Sequence, residues 1–112
     1  MMQRILIIDD EADFCLIMKK YFLRKGYDVS LAFNLAEGLA QVKETPPDFL
    51  FLDNNLPDGN GWDAVDQIVE KNPHIRVYLV SAHRNKNSYT GNHENIVIWE
   101  KPISLLTLDK IF

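Results

Sequence analysis

Apolar residues fall along this chain in two rhythms. Ile5–Ile8, Phe49–Leu52, Val77–Val80 and Ile96–Trp99 are short unbroken runs rich in β-branched and aromatic side chains. Such runs predict interior sheet strands, buried on both faces. Tyr27, Val29, Leu31 and Phe33 instead alternate with Asp28, Ser30 and Ala32, a period of two that predicts an edge strand. Between the runs the period is helical. Phe14, Ile17, Met18, Tyr21 and Phe22 share one face of a first helix, which Gly26 stops. Asn34 can cap a second, carrying Leu35, Leu39 and Val42, that cannot run past Pro46-Pro47. A third carries Trp62, Val65, Ile68 and Val69 and ends near Pro73, and residues 103–112 suit a last one.

The order is β-α-β-α-β-α-β-x-β-α. Right-handed crossovers fold such a chain into a parallel sheet with helices on both faces. The predicted architecture is a doubly wound, five-stranded parallel sheet of order 2-1-3-4-5, formed by one domain over residues 1–112. The unassigned element lies between Ala82 and Asn95. It is rich in Asn and offers only Ala82 and Tyr89 to a core, so the fourth helix is expected to be short or irregular.

Composition narrows the function. The 12 Lys and Arg against 16 Asp and Glu leave a net charge of −4, the wrong sign for a domain that grips a phosphate backbone. Direct nucleic-acid binding is not expected. Apolar runs of about four residues are far too short to span a bilayer, and the N-terminus shows no signal-peptide h-region. With a single cysteine, Cys15, no internal disulfide can form, and a cytoplasmic location is the expectation. Cys15 itself is expected to be a packed hydrophobe, and His74, His83 and His93 to be surface residues without metal-ligand spacing.

In an open parallel sheet, ligands gather at the carboxyl ends of the strands. Those ends are polar here: Asp9 and Asp10 after the first strand, Asp53 after the third, Ser81 after the fourth, and Lys101-Pro102 after the fifth. With the first and third strands adjacent, three carboxylates converge. Oxygen-only ligands with room for water suit Mg²⁺. A carboxylate beside that ion, with a hydroxyl and an ammonium at hand, is equipped to take a phosphoryl group onto itself. Asp53 would be the nucleophile, and Lys101 and Ser81 would neutralise the equatorial oxygens.

At these residues the chain resembles the receiver domain of two-component response regulators. The resemblance runs over nearly the whole length, through Asp9-Asp10-Glu11, Asp53 with Leu56-Pro57, Gly61, Ser81-Ala82 and Lys101-Pro102. It implies that Asp53 is the phosphoacceptor, and that Asp10, Asp53 and the backbone carbonyl of Asn55 bind Mg²⁺, with Asp9 acting through water. It further implies a switch hydroxyl on Ser81, a phosphate-binding Lys101, a cis bond before Pro102, and a sensor histidine kinase or histidine phosphotransfer protein as partner. Asn55 and His83 would border the path of hydrolytic water.

Three departures from the family pattern affect the output mechanism. Ile98 stands where an aromatic switch residue is usual, and Trp99 should point to the other side of its strand. The stretch from Ser81 to Lys101 is shorter than is usual, and Gly59 should loosen the loop from Asn54 to Gly61. Two other readings account for part of the pattern. A receiver-like module working by phosphorylation-independent contact would not need Asp53, Lys101 and the acid pair. A hydrolase of the haloacid-dehalogenase type would need a second Asp two residues after the first, where this chain has Asn55. Within the site, Asp9 or Asp10 as a simple cap of the first helix is the plainest structural alternative.

Overall fold

The computed structural model describes residues 2–82 and 93–112. Five parallel strands, β1 (Arg4–Ile8), β2 (Asp28–Ala32), β3 (Phe49–Asp53), β4 (Arg76–Ser81) and β5 (Ile96–Glu100), form one sheet of order β2-β1-β3-β4-β5. The described helices are α1 (Ala12–Arg24), α2 (Leu35–Glu44), α3 (Val65–Lys71, entered through a 3₁₀ turn at Gly61–Ala64) and α4 (Leu105–Ile111). The architecture is the doubly wound parallel sheet that the alternation of periods predicts. The expected irregular fourth helix, and His83 with it, falls on residues 83–92 and lies outside the described residues.

The unbroken apolar runs are explained by two cores. Leu6, Ile8, Leu50, Leu52, Val77 and Leu79 face one side of the sheet, with Val42 of α2 and Val65, Ile68 and Val69 of α3. Ile5, Ile7, Phe51, Tyr78 and Val80 face the other, with Cys15, Met18 and Phe22 of α1 and Leu108 of α4. Each strand residue thus belongs to the face opposite its neighbour's. Capping follows the sequence closely: Asn34 accepts the N–H of Glu37 at the start of α2, and Ser104 accepts that of Thr107 at the start of α4.

Two expectations need correction. The apolar run Ile96–Trp99 pointed to the sheet interior, but β5 is the second edge strand, as the predicted order 2-1-3-4-5 has it, and Val97 and Ile98 are exposed. An apolar run looks the same whether a strand has one neighbour or two. In α1 the buried stripe is Cys15, Met18 and Phe22, while Ile17 is 58% exposed. The stripe is rotated toward Cys15 because the small thiol fits under the strand end, where its Sγ donates to the carbonyl of Asp9 at 3.3 Å.

Candidate functional site

The first strand ends in a fixed acid. Asp9 donates its backbone N–H to Ala32 at 3.0 Å, and its Oδ1 accepts the N–H of Glu11 at 2.9 Å. Its carboxylate is therefore turned back toward the chain and does not cap α1, whose N-cap residue is Glu11. The simple-cap reading of Asp9 fails on that geometry. Ile8 pairs with Leu52, which brings Asp9 alongside Asp53, and Asp53 is in register with Val80, one residue before Ser81. Asp9, Asp10 and Asp53 each offer a carboxylate oxygen within 4.8 Å of the others. Asp9 and Asp53 are buried and Asp10 is exposed.

Lys101 enters from the far edge of the sheet. Its N–H donates to the carbonyl of Ser81 at 2.9 Å, fixing the start of the turn after β5, and the Lys101–Pro102 bond is cis as expected. The ammonium, 9% exposed, lies 2.7 Å from Asp9 Oδ2 and 2.8 Å from Glu11 Oε1, and 4.4 Å from the centre of the Phe14 ring. Three residues of the β1–α1 segment therefore hold it. Its ion pairs are with Asp9 and Glu11; on Asp53 it acts through its field. Glu11 and Phe14 were not singled out from the sequence as partners of Lys101.

Among the described residues, the charges leave a deficit of cation. Burial is the largest influence on Asp53 and pushes its carboxyl up to about 6. The charge of Asp9 adds to it, against the field of Lys101 and the N–H groups of Asn54 and Asn55. Burial also raises Asp9, against its Lys101 and Glu11 contacts. Burial works against the charge of Lys101, but Asp9 and Glu11 outweigh it and hold the ammonium above its ordinary value. Among the described residues, Asp9 Oδ2 is buried without a hydrogen bond in proper geometry and has its ion pair with Lys101. Carboxylates that one lysine does not neutralise, with oxygen as their only donor type, fit a hard divalent cation such as Mg²⁺.

These strand ends carry the pattern of a known family, and residues 5–95 match the response regulator receiver domain. The chain belongs to that family. It is 34% identical over 81 residues to the chemotaxis protein CheY of Thermotoga maritima, an alignment covering 71% of this chain and 68% of that one. The photosynthetic apparatus regulatory protein RegA of Cereibacter sphaeroides is 30% identical over 70% of this chain, which spans 43% of its length. The receiver fold of a two-component response regulator from Clostridium difficile superposes with a TM-score of 0.84 at 25% identity, covering 96% of this chain and 90% of that one. A response regulator receiver domain from Methylobacillus flagellatus gives 0.80 at 25%, covering 99% and 96%. Receiver domains are phosphoacceptor regulators of two-component systems rather than enzymes in the ordinary sense.

Lys101 lies beyond the 5–95 match, so its place in this receiver rests on the contact with Asp9. The hairpin after Asp53 is the other surprise. Asn55 pairs with Asn60 and Leu56 with Gly59 in a two-stranded antiparallel turn, closed by the Gly61 N–H on the carbonyl of Asn54 at 3.0 Å. Gly59, at φ +152, pairs with Leu56 just after the bend at Pro57-Asp58, so the turn is closed instead of loosened. Gly61 has no room for a side chain: a Cβ there would come within 2.1 Å of the carbonyl oxygen of Asp53. Trp99 packs on Tyr78 with ring centres 4.7 Å apart while Ile98 is exposed, so the receiver carries its aromatic on the opposite side from the usual switch position, as expected. Cys15 is fully buried, and burial pushes its thiol up to about 12. His74 is exposed, and His93 pairs with Asp66 at 3.3 Å.

Proposed function

We propose that this receiver, as one domain over residues 1–112, accepts a phosphoryl group on Asp53 from a sensor histidine kinase or a histidine phosphotransfer protein in the cytoplasm. The observation that carries the reading is the meeting, at the carboxyl edge of the sheet, of Asp9, Asp10 and Asp53 with the Lys101 ammonium. An oxygen of the Asp53 carboxylate attacks the phosphorus, the bond from phosphorus to the donor breaks, and the donor keeps the bonding pair; the product is an acyl phosphate. Asp10, Asp53 and the Asn55 carbonyl would hold Mg²⁺, with Asp9 reaching it through water, and the ion would supply charge neutralisation for the incoming phosphoryl oxygens. Lys101 swings from Glu11 toward the new phosphate, and the Ser81 hydroxyl takes another of its oxygens.

The test uses a small acyl phosphate such as acetyl phosphate with Mg²⁺, followed by borohydride trapping and mass spectrometry. Phosphorylated Asp53 is expected to be read as homoserine at position 53, formed when hydride reduces the acyl phosphate and phosphate leaves, and this signal should be lost in Asp53→Asn and on chelation of the metal. Labelling of the Asn variant at the wild-type level would overturn the assignment.

A further inference from the structure

Asp58 stands at the bend of the hairpin, outside every residue assigned above. Its Oδ1 accepts the N–H of Leu35 at 2.7 Å and its Oδ2 that of Ala36 at 2.9 Å. These are the first two residues of α2, whose N–H groups find no acceptor inside the helix. The following N–H, on Glu37, is taken by the local cap Asn34 at 2.8 Å. One helix end is therefore capped twice, once from the preceding residue and once from a segment more than 20 positions away. The two N–H groups hold the Asp58 carboxyl below its ordinary value, and it stays charged at the positive end of the helix dipole.

Without Asp58, the Leu35 and Ala36 N–H groups would be left to water, since Asn34 takes only that of Glu37. What the second cap also adds is a link between two loops. The hairpin carries Asn55, whose backbone N–H lies near enough to the Asp53 carboxylate to favour its charged form and whose partner across the turn is Asn60. The α2 end, in turn, begins three residues after Ala32, whose carbonyl receives the backbone N–H of Asp9. Asp58 thus refers the segment after Asp53 and the segment after β1 to one rigid frame. Its own atoms are held by backbone, which gives little.

We propose that Asp58 is a positioning residue for the metal site: its clamp on α2 holds the Asn55 backbone where a divalent cation shared with Asp10 and Asp53 needs it. This rests on the reading of the site given above. Asp58 touches neither the cation nor the phosphate, and it acts through the hairpin.

Calorimetric titration of Mg²⁺ into the metal-free protein tests this, with Asp58→Ala, Asp58→Asn and Asn34→Ala beside the wild type. Asp58→Ala should weaken Mg²⁺ binding about tenfold, as is usual when a group supporting a metal ligand is removed. Asp58→Asn keeps one acceptor oxygen and should fall between. Asn34→Ala removes a cap from the same helix without touching the hairpin; it should lower the melting temperature at least as much, yet leave Mg²⁺ affinity within about twofold. In acetyl phosphate reactions, Asp58→Ala should raise the half-saturating Mg²⁺ concentration and leave the rate at saturating Mg²⁺ unchanged. Wild-type affinity in Asp58→Ala, or an equal loss in Asn34→Ala, overturns the proposal while the receiver reading stands. Absence of Mg²⁺ binding by the wild type overturns both.

Discussion

At Asp53, burial and the neighbouring Asp9 both oppose ionisation, and the consequence is a pH dependence of definite sign. Its folded carboxyl titrates near 6 against 3.8 unfolded. Between these values the folded state holds the extra proton, so in the absence of metal stability declines as pH rises from about 4 to about 6 and levels off above. Asp9, also raised, works in the same direction. Melting curves in a chelator across this range should show the decline, and Asp53→Asn should remove much of it and melt higher at pH 7. Mg²⁺ should likewise restore stability at pH 7 and bind more weakly below about pH 6, where it competes with the proton. A melting temperature that climbs from pH 4 to pH 6 and is unaffected by Asp53→Asn would contradict this account.

Among the elements, the strand ends were the legible part of the site. Asp9, Asp10, Asp53, Ser81 and Lys101 stand out in the sequence because each breaks or closes an apolar run, and adjacency of β1 and β3 then brings the acids together. The contacts that cross the chain were not legible. Lys101 meets Glu11 across 90 positions and Asp58 meets Leu35 across 23; both acids are exposed, and no periodicity marks a surface acid as a tether. Gly59 was misread for a related reason, since a glycine signals a permissive backbone but not whether the turn built on it is closed. Gly61 is the glycine pressed against the backbone of the acceptor strand. A Cβ there runs into the backbone of Asp53 and the side chain of Leu52, at 2.9 Å from its Cδ1. Gly61→Ala should therefore lower stability by about 1 to 3 kcal/mol, the usual cost of overpacking. It should also depress Mg²⁺ binding, by displacing Asp53; denaturant unfolding and calorimetry would check the two effects separately.

Over the whole molecule, the alternation of strand and helix periods was enough to give five strands in their spatial order. That order already sets the fifth strand at an edge; only its unbroken apolar run, read by itself, pointed to the interior, because such a run looks the same with one neighbour or two. The two cores that the sheet separates also divide the chain's two tryptophans. Trp62 is buried with α2 and α3, its indole N–H donating to the carbonyl of Leu52 at 3.3 Å, directly before Asp53. Trp99 lies on the α1 and α4 side against Tyr78 and Phe51. The molecule is thereby fitted with one native fluorophore on each side of its sheet. A Trp99→Phe protein, emitting from Trp62 alone, should change in intensity as Mg²⁺ draws the hairpin and Asp53 together, with the calorimetric affinity. A Trp62→Phe protein should stay dark to the metal, and a response confined to Trp99 would place the metal-driven movement on the opposite side of the sheet. Light from either tryptophan would then tell which face of the sheet is carrying the signal, without any label added.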